Sequence, residues 1–330
     1  MEYRELGTSG IKASVVALGT WAVGGGPFWG DTDEQEAIRA IHVALEEGIN
    51  LIDTAPAYGF GKSEEVVGKA LKGRRSKAVI ATKCGQWWDD ETGSPFYEIS
   101  GISVRRSLDL RTIRIEIENS LRRLQTDTID VFQTHWPSIE PFKTPISDTM
   151  ACLMQLKEQG KIRAIGASNV TPAQMDEYRL AGVLDVCQPR YSLLDRVIEA
   201  DVLPYCHRHN IATLVYSPLE QGLLTGKIGM ERRFAPQEYR NMIPWFKPAN
   251  RRRVLNMLEG WKDLITKYRC TPGQLAIAWT VTQPGVTCAL CGARRVENVK
   301  ENAPAGSLQL EAADLARIRR DAEALGAPEK

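Results

Sequence analysis

The stretch "NLIDTAPAYGFGKSEEVVGKAL", residues 50–71, decides the fold. It opens as a buried strand and closes as an amphipathic helix. Asp53 and Tyr58 stand five residues apart where the strand hands over to a loop. The unit then repeats. Runs rich in β-branched and apolar residues occur at 15–20 (VVALGT), 49–55 (INLIDTA), 78–84 (AVIATKC), 129–136 (IDVFQTHW), 162–169 (IRAIGASN), 185–191 (DVCQPRY), 212–219 (ATLVYSPL) and 286–293 (VTCALCGA). Their near-continuous apolarity suits parallel strands covered on both faces.

Helical patterns fall between the runs. Residues 32–47 open with Thr32 and Gln35, a capping-box pair, and carry Ile38, Ile41, Ala44 and Leu45 up to Gly48. Ser63 is placed to cap a helix with Glu64 and Glu65 in its first turn. Ile113, Ile117, Leu121 and Leu124 share one helical face. "TPAQ" (171–174) and "TPGQ" (271–274) each read as a cap, a proline at the first helical position and a capping-box glutamine. Eight strand–helix units predict an α/β fold, a (β/α)8 TIM barrel, as one domain over residues 1–330. The competitor is an open doubly wound sheet. "GTWAVGGGPFWG" (19–30) does not lead directly into a helix as a dinucleotide fingerprint would. "EYRELG" and "IKASV", around "TSG", read as an N-terminal hairpin able to plug the barrel bottom.

Two connections exceed the usual ~4 to 6 residues. Gly85 to Leu110 carries Trp87, Trp88 and Phe96, and Glu220 to Asn250 carries Gly222, Gly226, Trp245 and Phe246. Both follow strands, so both lie at the C-terminal face, where barrel enzymes keep their sites. They read as lids or specificity walls.

With 42 basic and 41 acidic residues the net charge is +1, which argues against a nucleic-acid or membrane-surface binder driven by bulk charge. The first ten residues are polar, unlike a signal peptide, and no apolar run reaches the ~18 to 20 residues of a membrane span. Seven cysteines, an odd number, read as reduced thiols in a cytoplasmic protein. Cys288 and Cys291 lie three steps apart on a strand, ~10 Å and on opposite faces, too far for a disulfide. They read as core thiols rather than a redox or zinc site. His207 and His209, two apart on a helix, do not share a face, and they and His42 read as surface residues rather than metal ligands.

Asp53 ends the second strand, Tyr58 follows in its loop, Lys83 ends the third strand and His135 the fourth. Taken singly, a strand-end lysine faces water, a histidine is a bonded core residue and a loop tyrosine is packing. Barrel phase aims all four at one spot. Proton donation from a phenol fits this set. A free tyrosine has a pKa near 10, and a neighbouring ammonium is expected to lower it by ~1 to 3 units. Lys83 needs an anion to stay charged when buried, and Asp53 supplies one. Charges 4 Å apart attract by about 4 kcal/mol at an effective dielectric of ~20. A neutral His135 would hydrogen-bond and orient a carbonyl oxygen.

This constellation resembles the aldo-keto reductase family along the length of the chain. "LIDTAPAY" is similar to the motif carrying the family's aspartate and tyrosine, "IATK" to its lysine motif, and "DVFQTHWP" to its histidine strand. "GKIRAIGASN", "YSPLEQGLLTGK" and "GARRVENVKEN" are similar to cofactor-binding segments. The resemblance implies NAD(P)H-dependent carbonyl reduction without metal, with NADPH as cofactor and NADH possible. It implies that Ser168, Asn169 and Gln188 bind the nicotinamide carboxamide and that Tyr216 stacks on the ring. Ser217, Leu219, Gly222 and Lys227 would lie along the pyrophosphate, and Glu301 and Asn302 would hold the adenine. Thr20, Trp21, Gly292 and Asn298 complete the implied cofactor set. Arg294 and Arg295 suit a 2′-phosphate, since a guanidinium binds phosphate in a bidentate fork beside a helix N-terminus. Gly292 and Ala293 stand where some members carry a lysine–serine pair.

Trp21, Trp87, Trp88 and Trp136 are expected to wall a pocket for small aldehydes, methylglyoxal-like compounds or sugar-derived carbonyls. Two other readings remain open. One is a nicotinamide-binding regulatory subunit with little turnover, like the potassium-channel β subunits of this fold. The other is a barrel aldolase using Lys83 as a Schiff base. Substrate identity, reaction direction and oligomeric state are not readable from the chain.

Overall fold

The computed structural model describes residues 1–329. All eight expected strands form: β1 (Val16–Gly19), β2 (Leu51–Asp53), β3 (Val79–Cys84), β4 (Ile129–Thr134), β5 (Ile162–Ser168), β6 (Val186–Gln188), β7 (Ala212–Tyr216) and β8 (Cys288–Gly292). They pair in chain order and close into a parallel barrel, with β8 returning to β1 through Leu290 opposite Ala17.

Alternation along each strand explains why the runs read as continuously apolar. Ala17, Leu51, Ala81, Val131, Ala164, Val186, Leu214 and Leu290 fill the barrel interior. Val16, Leu18, Ile52, Ile80, Phe132, Ile165 and Val215 face outward against the helices. Both faces exclude water, so neither is polar. Cys288 belongs to the inner cluster and Cys291 to the outer one, and both are free thiols. Tyr3–Glu5 pairs antiparallel with Lys12–Ser14, and Leu6, Ile11 and Ala13 pack into the inner cluster as a plug.

The helices are α1 (Glu34–Glu46), α2 (Lys62–Leu71), α3 (Leu110–Leu124), α4 (Ile146–Glu158), α5 (Pro172–Ala181), α6 (Val202–Arg208), α7 (Pro248–Glu259), α8 (Lys262–Tyr268), α9 (Pro272–Val281), α10 (Val296–Asn302) and α11 (Ala312–Glu323). Both Thr-Pro-x-Gln segments form complete capping boxes, at the starts of α5 and α9. Two expected caps are different. Asp33 caps α1 by accepting from the Glu36 N–H, while the Thr32 hydroxyl donates to the Ala22 carbonyl. Helix α2 starts one residue before Ser63, after a left-handed Gly61 at φ 95°. A side chain at Gly61 would meet Arg123 Cδ at 2.7 Å. Ser63 is instead buried and bonds to Thr20. His42 is half-buried, with its ring bonded to the Ala70 carbonyl.

The connection from Gly85 to Leu110 is no irregular loop. It folds into a three-stranded antiparallel lid sheet, with Ile102–Arg106 central between Gln86–Trp87 and Ser94–Ile99. The connection after β7 is built of short 3-10 turns, Glu220–Thr225, Tyr239–Met242 and Pro244–Phe246, pinned by buried Trp245 and Phe246. Among the described residues no helix is long and apolar enough to cross a membrane.

Candidate active site

The phase that buries Leu51 and Ala81 also turns Asp53 and Lys83 into the barrel mouth, two steps further along each strand. The Lys83 side chain is 0% exposed and Asp53 is 4% exposed. Lys83 Nζ donates to Asp53 Oδ1 at 2.8 Å, to the Thr54 carbonyl at 2.8 Å and to the Tyr58 hydroxyl at 3.2 Å. An ammonium has three donors and no acceptor, so three oxygen partners match the charged form. Burial pulls the Lys83 pKa down, and the Asp53 carboxylate opposes that pull.

The other Asp53 oxygen accepts from Gln188 Nε2 at 2.8 Å. The glutamine amide fills the carboxylate's second face, and Lys83 is the one cation paired with it among the described residues.

Tyr58 lies between Trp21 and His135, with ring centroids 6.2 and 5.9 Å away. Its phenol departs from expectation. Burial, and then the Asp53 carboxylate, hold its pKa well above the ordinary tyrosine value instead of below it. Desolvation of a phenolate outweighs the help of an ammonium whose charge Asp53 already balances. The hydroxyl therefore carries its proton across the neutral range.

Burial, and then the Lys83 charge, push the His135 pKa far down, so the ring is neutral. Its tautomer is set from behind. The Tyr97 hydroxyl donates to Gln86 Oε1 at 2.9 Å. That orients the amide so that Gln86 Nε2 donates to His135 Nδ1 at 3.2 Å. With Nδ1 accepting, the proton sits on Nε2.

The residues expected around a nicotinamide cofactor gather on the other side of the mouth. Tyr216 donates its hydroxyl to Asn169 Oδ1 at 2.8 Å, and Asn169 Nδ2 donates to Ser168 Oγ and the His135 carbonyl, each at 3.0 Å. Ser168 Oγ donates to the Gln188 carbonyl at 2.8 Å. Gln221 Nε2 donates to Ser217 Oγ at 2.7 Å. Leu219 is buried, and Glu220, Gln221 and Gly222 all have positive φ. The Glu220 and Gly222 N–H groups donate to the Ser217 and Leu219 carbonyls, each at 3.0 Å, which holds the loop in a tight turn. Lys227 forms an ion pair with Glu301, which links the connection after β7 to α10. Gln221 Oε1 and Glu301 Oε1 are buried without a hydrogen-bond partner. These orphaned acceptors, with the turned loop beside them, fit a polar cofactor. Gly292 faces open space, Asn298 is half-buried and Asn302 is buried on α10.

Two members of the expected set, and the start of α10, make contacts within the protein. Thr20 is buried, and its hydroxyl donates to the Asp53 carbonyl at 2.8 Å, fastening β1 to β2. Arg294 Nη1 donates to the Asp31 carbonyl and Thr32 Oγ1. The Val296 N–H donates to the Glu36 carboxylate at 3.0 Å, so an acid already occupies the start of α10.

The tryptophans also divide. Trp21 meets Phe28, Trp29 and Tyr239 at 6.2, 5.2 and 4.9 Å, forming an aromatic wall beside Tyr58. Trp88 packs edge-on against Phe60, and Trp136 against Phe96. Trp87 does not join them. It is the residue after Gln86 on a lid strand, so it points to the opposite face, where its Nε1 donates to Asp90 Oδ1 at 2.7 Å.

Gln86, Tyr97, Thr54, Tyr239 and Glu36 escaped sequence reasoning. Each reaches the mouth from a loop, a lid strand or an outer helix, where no periodicity marks its direction.

The sequence profile of the Aldo/keto reductase family matches residues 15–323. The chain is 47% identical over 322 residues to the NADH-specific methylglyoxal reductase of Escherichia coli strain K12, covering 97% of this chain and 98% of that one. It is 32% identical over 320 residues to a probable voltage-gated potassium channel subunit beta of Arabidopsis thaliana, covering 92% and 90%. The glycerol dehydrogenase structure from Gluconobacter oxydans superposes with a TM-score of 0.86 at 40% identity, covering 97% and 94%. Profile, barrel and relatives agree: the chain belongs to the aldo/keto reductase family, and it is an NAD(P)H-dependent oxidoreductase.

Proposed function

We propose that the protein reduces a small aldehyde or ketone, of the methylglyoxal or sugar-derived kind, to the alcohol, with Tyr58 as the general acid. The observation that carries this reading is the third hydrogen bond of Lys83, the one to the Tyr58 hydroxyl. A bound nicotinamide cofactor would supply the hydride, held by Ser168, Asn169, Tyr216 and the loop from Ser217 to Lys227. The carbonyl oxygen takes a hydrogen bond from His135 Nε2–H and the proton from the Tyr58 hydroxyl. As that proton leaves, Lys83 stabilises the phenolate through a bond already in place, so little reorganisation accompanies the step. Asp53 holds the ammonium and Gln188 holds Asp53. The aromatic wall of Trp21, Phe28 and Tyr239 keeps water from the reacting atoms. A Schiff-base role for Lys83 fits poorly, because all three ammonium protons are engaged.

NADH is the better of the two cofactor forms in this reading. Arg294 is tied to residues 31 and 32, and a 2′-phosphate beside α10 would meet the Glu36 carboxylate. The name of the Escherichia coli relative points the same way.

The test is Tyr58→Phe, assayed with methylglyoxal, alongside fluorescence titrations of NADH and NADPH. The expected loss in kcat is about 10²- to 10⁴-fold, with NADH affinity nearly unchanged. Near-normal turnover in the variant would refute the acid assignment. Negligible turnover by the wild type with tight NADH binding would favour a regulatory role.

A further inference from the structure

Arg106 is a cation without a counter-ion, placed beside the proposed chemistry. It sits on the central lid strand, directly opposite Gln86 on one side and Ser94 on the other. Residues opposite one another on a sheet share a face. That face looks into the barrel mouth, since Gln86 reaches His135 and the Ser94 hydroxyl donates to the Ile139 carbonyl. Arg105, on the opposite face, bonds to the Gly93 carbonyl.

The Arg106 guanidinium packs beside two rings that meet edge-on, 4.0 Å from the Phe96 centroid and 4.8 Å from that of Trp136, the residue after His135. Its Nε is buried without a hydrogen-bond partner. No carboxylate pairs with it among the described residues. Burial lowers its pKa and no neighbouring charge opposes the shift. Arg190 is matched by Glu220 and Asp195 and Arg319 by Glu199, while Arg251 and Arg294, which pair with no carboxylate, donate to carbonyl and hydroxyl oxygens; Arg106 has no side-chain hydrogen bond among the described residues. Aromatic contact restrains the guanidinium, and its unpaired N–H groups can meet a carboxylate in a bidentate fork.

We propose that Arg106 selects substrates bearing a carboxylate on the chain that carries the reactive carbonyl, the carbonyl lying at Tyr58 and His135 and the carboxylate at the lid sheet. This rests on the carbonyl-reductase reading above and names a substrate class for it.

The test compares 4-oxobutanoate with its methyl ester, a pair that differs in the charge of the far end. For the wild type, kcat/KM for the acid exceeds that for the ester by tenfold or more. In Arg106→Leu that ratio falls at least tenfold, chiefly through KM for the acid. Arg106→Lys keeps the charge without the fork and gives an intermediate ratio. Melting temperatures of the variants report whether the lid sheet survives. A wild-type ratio near one, or a ratio that Arg106→Leu leaves unchanged, overturns the proposal and assigns Arg106 to packing of the lid. A wild type that reduces methylglyoxal but not 4-oxobutanoate also overturns the proposal, whereas failure on all three compounds would strike at the carbonyl-reductase reading itself.

Discussion

Two buried aspartates sit at opposite ends of the same barrel, and their surroundings differ in kind. At the bottom, Asp130 on β4 accepts from Arg75 and the Ile80 N–H through one oxygen and from Arg163 through the other, at 2.6 to 2.8 Å. Both cations reach water, with side chains 30% and 51% exposed. At the top, Asp53 faces one cation, Lys83, that reaches no water at all. The bottom cluster is closed, because every strong acceptor has a strong donor. In the top cluster the third ammonium proton goes to a neutral phenol, a weak acceptor that improves as it becomes a phenolate. A cluster completed only when a proton moves is suited to chemistry, and one already complete is suited to holding strands together.

Removing the top cation should have the largest effect. Lys83→Met leaves Asp53 buried without its partner, which costs about 3 to 5 kcal/mol. It also removes the group that stabilises the phenolate, so turnover should fall by about 10²-fold or more. Urea unfolding and kcat measure the two effects, and a variant retaining a tenth of wild-type turnover would erase the distinction between the clusters.

Gln86→Leu probes the same end more gently. The His135 ring loses the donor that fixes its tautomer, and turnover should drop by roughly tenfold, as for other second-layer partners of a histidine. Nitrogen NMR of His135 should show the proton no longer confined to Nε2. A structural role alone would leave that spectrum unchanged.

At the bottom, Asp130→Asn should weaken the staple by about 1 to 3 kcal/mol while leaving kcat/KM within about twofold. A large kinetic effect would mean that the two ends are coupled along β4.

The smallest effect concerns acid. His135 has a lowered folded-state pKa, so the unfolded chain binds this proton first. Its contribution is constant above the unfolded value of about 6.5 and destabilises the fold as pH drops below it. Turnover should therefore show no inflection from His135 between pH 6 and 8. A kinetic pKa in that window that disappears in His135→Asn would contradict a neutral ring.

How legible the molecule was from its residues follows the same division. The eight strands, the plug hairpin, both Thr-Pro-x-Gln caps and the meeting of Asp53, Tyr58, Lys83 and His135 were readable, because strand phase is a local property and strand ends in a barrel share one rim. The direction of the Tyr58 pKa shift was not, because it depends on how deeply the phenol is buried and on a carboxylate that has already balanced the lysine. Nor was the fate of the two long connections. Pairing across Gln86, Ser94 and Arg106 turned one of them into a sheet with a polar inner face, which brought Gln86 to His135 and sent Trp87 away from it.

By itself, the sequence determined the barrel and the meeting of Asp53, Tyr58, Lys83 and His135 at its mouth, since alternation and strand order act through neighbours along the chain. Tertiary structure alone decided which hydrogen-bond partners those side chains keep, what Arg294 and Glu36 do at α10, and where the unmatched charge of Arg106 lies. Those outcomes depend on groups far apart in the chain meeting away from water, where burial fixes the value of every charge and hydrogen bond.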